Sequence, residues 1–426
     1  MTIRVFPSVP HGTVTVPASK SMAHRAIICA CLAKGTSILR NVTWSKDIAA
    51  TVRGMEALGA VISRIGENAL QVEGTSLFQG SATYSVDCCE SGSTLRFLIP
   101  LFSLTGREAC FTGQGRLLER PQQVYRDIFR EQGLEFSHTG DEIRICGALR
   151  PGNFCLRGDV SSQFITGLLF ALPMLEGDSE IRIQPPFESR SYVELTLEAM
   201  KKFGVSAAFS DSLTLRIPGR QSYRSCDTVI EGDYSQAAFF AVLGSIRGEV
   251  VCDGLRADTR QGDATILDIL EGFGSRGVPC GSGFRFRESL LTGRKIDLGD
   301  CPDLGPILTV LGAYSRGNTL IRNTARLKIK ESDRSAVMEE ELSRLGVAVR
   351  SGENDIIISG TRLFSPAADT LVSAHNDHRI AMSLAVFAAC GEKPVCISGA
   401  ESVEKSYPEF WNDLKAAGIR WEVAEE

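Results

Sequence analysis

Thr319-Leu320-Ile321-Arg322, then Lys328-Ile329-Lys330-Glu331-Ser332-Asp333-Arg334, then an amphipathic pattern running to Leu345: a strand-like run gives way to a charge cluster, and the cluster to a helix. Ser332 or Asp333 suits the N-cap, where a side-chain oxygen accepts from the first free backbone N–H groups. Lys330, Glu331 and Arg334 then stand at or beside a helix N-terminus, a place where anions bind readily. Cations there lower a carboxylate's proton affinity and burial raises it, which makes Glu331 the first candidate for proton transfer. The plain alternative is a charged cap with i,i+3 and i,i+4 pairs on the surface. The rest of the chain decides between them.

The same strand, polar turn and helix recur with a period of about 70 residues, six times in all. The first half of each copy is a helix of small and apolar residues, then Gly, then a strand: 26–39, 94–111, 164–183, 237–251, 304–321 and 380–397. The second half is an amphipathic helix with charges on one face: 47–58, 121–132, 192–203, 263–273, 333–345 and 408–417. Most of these are followed by Gly (Gly59, Gly133, Gly204, Gly346, Gly418), the residue preferred just past a helix end. Strand-like pieces follow at 69–72, 142–145, 213–217 and 355–358. Each unit reads as βαβαββ, which predicts an α/β protein (α+β in some schemes) of two domains with three repeats each. The N-terminal domain is expected at 13–227, and the C-terminal domain at 1–12 with 228–426. The chain would cross between them near 11–15 and 226–231 as a two-strand hinge, with the leading strand 2–7 completing the C-terminal domain.

Composition narrows the class of function. The 426 residues are 43% hydrophobic and 23% charged, as in a globular protein. No apolar run reaches bilayer-spanning length, and the first residues resemble neither a signal peptide nor an anchor, so a cytoplasmic protein is expected. A net charge of −5 argues against wholesale nucleic-acid binding. Thirteen cysteines without any C-x-x-C pair, and five scattered histidines, offer no metal-ligand spacing. Cys29 and Cys31 with His24 read better as small buried residues than as a soft-metal site, and a reducing compartment fits them. No metal and no cofactor are expected. Neither a P-loop nor a G-x-G-x-x-G loop is present.

In every repeat the polar signature falls at the start of the first helix: Ser19-Lys20-Ser21…Arg25, Glu90-Ser91-Gly92-Ser93-Thr94…Arg96, Ser161-Ser162-Gln163, Asp233-Tyr234-Ser235-Gln236, Asp300…Asp303 and Asn376-Asp377-His378-Arg379. Neighbouring loops add Arg120, Ser189, Tyr192 and Lys405. Singly these are ordinary caps and surface charges; their recurrence is the signal. Helix N-termini carrying Lys, Arg, Ser and Gly suit a small polyanion.

At these residues the chain resembles the 5-enolpyruvylshikimate-3-phosphate synthase family. Lys330-Glu331-Ser332-Asp333-Arg334 and Asn376-Asp377-His378-Arg379 are the more specific motifs, and Glu119-Arg120-Pro121 joins them. The resemblance spans essentially the whole chain. It implies two domains of three βαβαββ repeats, each an inside-out α/β barrel, closing on substrate like a clamp. It implies transfer of the enolpyruvyl group of phosphoenolpyruvate to the 5-hydroxyl of shikimate 3-phosphate, with release of phosphate, on the route to chorismate. The reaction would run by addition and elimination through a tetrahedral ketal, without metal, in a monomer. Carried over position by position, shikimate 3-phosphate falls to Lys20, Ser21, Arg25, Ser161, Ser162, Gln163, Ser189, Asp303 and Lys330, with Tyr192 beside them. Phosphoenolpyruvate falls to Lys20, Gly92, Arg120, Gln163, Arg334, Arg379 and Lys405. Asp303 is the implied acceptor of the hydroxyl proton, and Glu331 acts on the methylene or methyl carbon with Lys20 close to both. Glu90 departs from the Asn found in many members, and Arg326 from an Asn found in some. Gly92 implies sensitivity to glyphosate, a phosphoenolpyruvate mimic.

Two other readings compete. UDP-N-acetylglucosamine enolpyruvyl transferases share the fold but use a loop cysteine near the position of Arg120, and no cysteine lies between Cys110 and Cys146 here. An RNA-processing protein of related repeats would need a continuous basic surface with interleaved aromatics.

Overall fold

The computed structural model describes residues 1–74 and 83–424. Its helices are of two kinds, and composition explains both. The first helix of each repeat carries almost no charge past its opening turn. Tyr234–Ile246 has twelve buried residues, from Tyr234 to Ser245, and all thirteen residues of His378–Cys390 are buried. The second helices are one-sided: Gln123–Glu131 buries Tyr125, Ile128 and Phe129, spaced to share one face.

Among the described residues the strands form six four-stranded sheets of one design. A parallel pair comes first, and the other two strands add antiparallel. In one sheet Asn153–Arg157 runs parallel to Ser179–Gln184, followed by Thr214–Ile217 and the edge strand Ala208–Phe209. Burial alternates along Thr83–Asp87 and along Asn153–Arg157, so one face of each strand meets the core and the other meets water. Apolar helices therefore lie inside and half-exposed sheets outside, the inside-out arrangement.

The chain divides into two compact units, Ala18–Ile230 and Met1–Pro17 with Glu231–Glu426, each with its own hydrophobic core. In the second of these, helices Tyr234–Ile246, Gly305–Ala313 and His378–Cys390 touch one another pairwise at the centre. In the first, Gly92–Ser103 packs on Ser162–Ala171 closely enough that a Cβ on Gly167 would stand 2.3 Å from the Arg96 carbonyl oxygen. Only glycine fits that crossing.

Three strands complete sheets far from their own place in sequence. Thr2–Val5 inserts between Val395–Ser398 and Trp421–Val423, burying Ile3 and Val5 fully. Thr13–Thr15 runs parallel to Glu249–Asp253, and Thr228–Val229 runs parallel to Gly35–Arg40. The short connecting segments thus supply the opening strand of one sheet in each unit.

Candidate active site

In the unit Ala18–Ile230 the polar residues collect at the starts of three helices. Ser91 caps Gly92–Ser103 by accepting from the Thr94 N–H at 3.2 Å, and Ser161 caps Ser162–Ala171 by accepting from the Gln163 N–H at 3.3 Å. Gly92, Arg120 and Gln163 are brought into contact: a Cβ on Gly92 would lie 3.0 Å from Arg120 Nη1 and 3.3 Å from Gln163 Oε1. Arg96 donates to Gln163 Oε1 at 2.7 Å and to the Pro121 carbonyl at 3.1 Å, which orients the amide. Gln163 Nε2 then donates to Ser93 at 3.0 Å.

Lys20, in the first turn of Lys20–Leu32, pairs with Asp47 at 2.7 Å, and the two side chains are only 18% and 11% exposed. Arg25 lies deeper. It donates to Thr196 Oγ1 at 2.9 Å, to the Ser21 carbonyl at 2.7 Å and to the Tyr192 carbonyl at 2.9 Å. Burial lowers its guanidinium to about 10, still charged at neutral pH. Ser189 opens helix Arg190–Lys202 in the left-handed region, φ 55°, and is buried.

In the other unit the cluster is built around acids. Asp303, in the short 3-10 turn Pro302–Leu304, takes Lys330 at 3.0 Å and Arg334 at 3.2 Å on one oxygen, and Arg379 at 3.1 Å on the other. Burial alone would raise its proton affinity. Arg379, Lys330 and Arg334 override that and hold the carboxylate well below its ordinary range. Lys330 is lowered to about 8, chiefly by burial; Asp303 opposes the shift, while Arg334 and Arg326 add to it.

Arg334 occupies the first position of helix Arg334–Arg344, and Asp333 is the N-cap, accepting from the Ala336 N–H at 3.1 Å. Ser332, the other candidate for that cap, instead donates to Asp377 at 3.0 Å. Arg334 is 1% exposed and reaches three carboxylates: Asp377 at 2.8 Å, Glu331 at 2.8 Å and Asp303 at 3.2 Å. Burial works to lower its affinity for a proton, but Asp377, Glu331 and Asp303 prevail and hold the charge more firmly than usual. Arg379 also donates to Ser235 at 3.0 Å, and Lys405 donates to the Asn376 carbonyl at 2.5 Å.

Asp303, Lys330, Glu331, Arg334 and Arg379 therefore form one connected network, while Lys405 sits on the neighbouring corner rather than on Asp303. Lys330, Arg334 and Arg379 each have an acid partner here, because a buried cation without a counter-charge is too costly. Asp47 and Asp377 are the partners missed: one reads as a helix-dipole complement, the other as a cap, and nothing local links either to its cation. Among the described residues one grouping has the chemistry of metal ligands, Glu340, Glu341 and His375. Glu340 already meets Arg344 at 2.7 Å and Glu341 meets His375 at 2.7 Å.

The buried pair sets a clear expectation. Asp377→Ala leaves Arg334 short of its fully buried partner and should destabilise the protein by about 3–5 kcal/mol in urea unfolding. Asp377→Leu combined with Arg334→Met should cost less than the sum of the two single changes. Strict additivity would show that the pair is not coupled.

The sequence profile of EPSP synthase (3-phosphoshikimate 1-carboxyvinyltransferase) matches residues 7–414. The chain is 43% identical over 418 residues to the 3-phosphoshikimate 1-carboxyvinyltransferase of Clostridium kluyveri, covering 98% of this chain and 97% of that one. It is 42% identical over 417 residues to the enzyme of that name from Clostridium perfringens, covering 97% of each. In fold it is similar to the EPSP synthase of Acinetobacter baumannii, with a TM-score of 0.81, 24% identity and full coverage of both chains. The enolpyruvyl transferase NikO of Streptomyces tendae shares the fold at a TM-score of 0.78 and 18% identity, covering 100% of this chain and 99% of that one. Full-length identity at this level, with the expected motifs in order, leaves one conclusion: the chain belongs to the EPSP synthase family.

Proposed function

We propose that the two charged clusters supply the substrate contacts of the family's reaction and that the acids among them move its protons. The chain transfers the enolpyruvyl group of phosphoenolpyruvate to shikimate 3-phosphate, in the pathway to aromatic amino acids. In the first step the 5-hydroxyl oxygen bonds to C2 of phosphoenolpyruvate as a proton reaches its methylene carbon. In the second, the C2–O bond to phosphate breaks and a proton leaves the new methyl group.

Phosphoenolpyruvate is assigned to Lys20, Gly92, Arg120, Gln163, Arg334, Arg379 and Lys405. Arginine forks suit its carboxylate and its phosphate, each able to offer two parallel N–H donors. Shikimate 3-phosphate is assigned to Lys20, Ser161, Ser162, Gln163, Asp303 and Lys330, with Ser21, Arg25, Ser189 and Tyr192 beside them. Asp303 takes the hydroxyl proton; Glu331, with Lys20, serves the methylene and methyl carbon.

One observation carries this reading: a single carboxylate, Asp303, shared by three cations. Held so, Asp303 is ionised at any working pH but is a weak base. An anionic substrate arriving on Lys330 or Arg379 offsets those charges, and the proton affinity of Asp303 rises as the hydroxyl reaches it. The base is switched on by substrate. The thirteen cysteines are all unpaired, which supports a cytoplasmic setting for the reaction.

Release of inorganic phosphate from phosphoenolpyruvate tests the reading. It should require shikimate 3-phosphate and stop when either substrate is exhausted; release that ignores shikimate 3-phosphate would overturn it.

Two further outcomes follow from the geometry. Lys330 must be charged to hold a phosphorylated cyclohexene carboxylate, and its charge is lost as pH rises through about 8. Affinity for shikimate 3-phosphate, followed by calorimetry, should therefore fall above that pH, and Lys330→Arg should move the alkaline decline upward. Gly92→Ala places a methyl against Arg120 and Gln163, which must yield by a few tenths of an ångström. Its KM for phosphoenolpyruvate should rise roughly tenfold, and its glyphosate inhibition constant should rise further. Equal shifts in the two constants would contradict the assignment.

A further inference from the structure

Beneath the Lys20–Asp47 ion pair lies a second line of hydrogen bonds that none of the substrate assignments uses. His24 stands one turn after Lys20, Thr51 one turn after Asp47, and Thr94 two residues after Gly92. His24 Nδ1 is 2.8 Å from Thr51 Oγ1, which is 2.7 Å from Thr94 Oγ1, which is 2.7 Å from the Oγ of the cap Ser91. All four side chains are buried, at 1% exposure or less.

The direction of the line can be worked out from its end. Ser91 Oγ accepts from both the backbone N–H and the hydroxyl of Thr94. A hydroxyl has one hydrogen, so Thr94, having donated to Ser91, must accept from Thr51. Thr51 has then spent its own hydrogen and must accept from His24. The imidazole therefore carries its proton on Nδ1, and Nε2 is bare, buried and without a hydrogen-bond partner, with the Phe97 ring at 6.3 Å edge to face. Burial first, then the charges of Lys20 and Arg25, keep the ring well below its ordinary pKa and so neutral.

We propose that this line is a positioning relay, in which the Nδ1–H of His24 fixes the first turn of helix Gly92–Ser103 and with it the spacing of Gly92 from Arg120 and Gln163. His24 is then a positioning residue for phosphoenolpyruvate that need not touch it. The inference rests on the assignment of phosphoenolpyruvate to those three residues. The tolerance is small, since even a methyl at Gly92 would oblige Arg120 and Gln163 to give by a few tenths of an ångström. Without the His24 donor the Thr51 hydroxyl is free to turn back on its own helix, as threonine hydroxyls do, and Thr94 loses its donor in turn. The cap at Ser91 then loosens where the substrate contact begins.

Steady-state kinetics of two substitutions test the relay. His24→Leu removes the donor; His24→Asn keeps one, because the asparagine amide nitrogen sits where Nδ1 does. His24→Leu should raise the KM for phosphoenolpyruvate roughly five- to twentyfold, with kcat and the KM for shikimate 3-phosphate changed about twofold or less. His24→Asn should restore it to within about twofold of the unaltered enzyme. If His24→Leu fails to fold, Thr51→Val breaks the same line at its middle and Thr51→Ser keeps it, and the same contrast is expected. An unchanged KM for phosphoenolpyruvate, or an asparagine variant as impaired as the leucine one, overturns the relay. Gly92→Ala in the same assay separates the two ideas. If it raises that KM while His24→Leu does not, the relay alone fails. If neither does, the substrate assignment fails as well.

Discussion

A guanidinium shut away from water at the positive end of a helix is a costly arrangement, and Arg334 is in that position. Burial strips its hydration, and the helix dipole repels it. What makes the position tenable is three carboxylates, from Asp377, Glu331 and Asp303, arriving from three different stretches of chain. The requirement runs both ways. Each acid is fixed by the arginine, so the turn Pro302–Leu304, the start of helix Arg334–Arg344 and the start of helix His378–Cys390 are set with respect to one another. The network of Lys330, Arg334 and Arg379 with Asp303, Glu331 and Asp377 has as many acids as bases. In the proposed reaction an anionic substrate competes for cations already in use, and that competition is what would change the basicity of Asp303.

The interior tolerates this only because the helices carrying the site are apolar past their first turns. Sheets lie on the outside with one face wet, and their alternating burial turns the charged residues of the strands toward water. Charged groups therefore gather at helix starts and in the loops and turns beside them, where Arg120 and Lys405 lie. The six signatures fall there because elsewhere along those helices a charge would have to be buried in hydrocarbon. Arg96 and Arg25 mark the limit of what is allowed, lying a turn inside with backbone carbonyls and hydroxyls as acceptors.

Much of this was legible in the residues. The period of the repeats, the buried first helices and the Gly residues past the second ones need only local pattern, and Gly346 at φ 87° shows why such a position favours glycine. The cluster around Arg334 was legible as composition, through Lys330, Glu331 and Asp303. Its wiring was not. Asp377 reads as a cap for Arg379, and it is one, since it accepts from that backbone N–H at 2.9 Å; that it also holds Arg334, 43 residues earlier, depends on helix packing. Asp47 and the line from His24 to Ser91 were hidden for the same reason: each joins residues on different helices. Strand order within the sheets was equally opaque, because strands of two to six residues carry little pattern and their partners lie far along the chain.

Thr2–Val5, locked between two strands near the other terminus, bears on how the polypeptide is made. The segment 18–230 is continuous and can acquire its core while it leaves the ribosome. The first strand has no such option, since its neighbours Val395–Ser398 and Trp421–Val423 are synthesised only after the whole of that segment and much of the chain beyond it. At typical elongation rates it waits roughly 20–80 s with its apolar residues exposed. Until those partners emerge, the side chains of Ile3 and Val5, which the finished fold covers completely, have nothing to bury them.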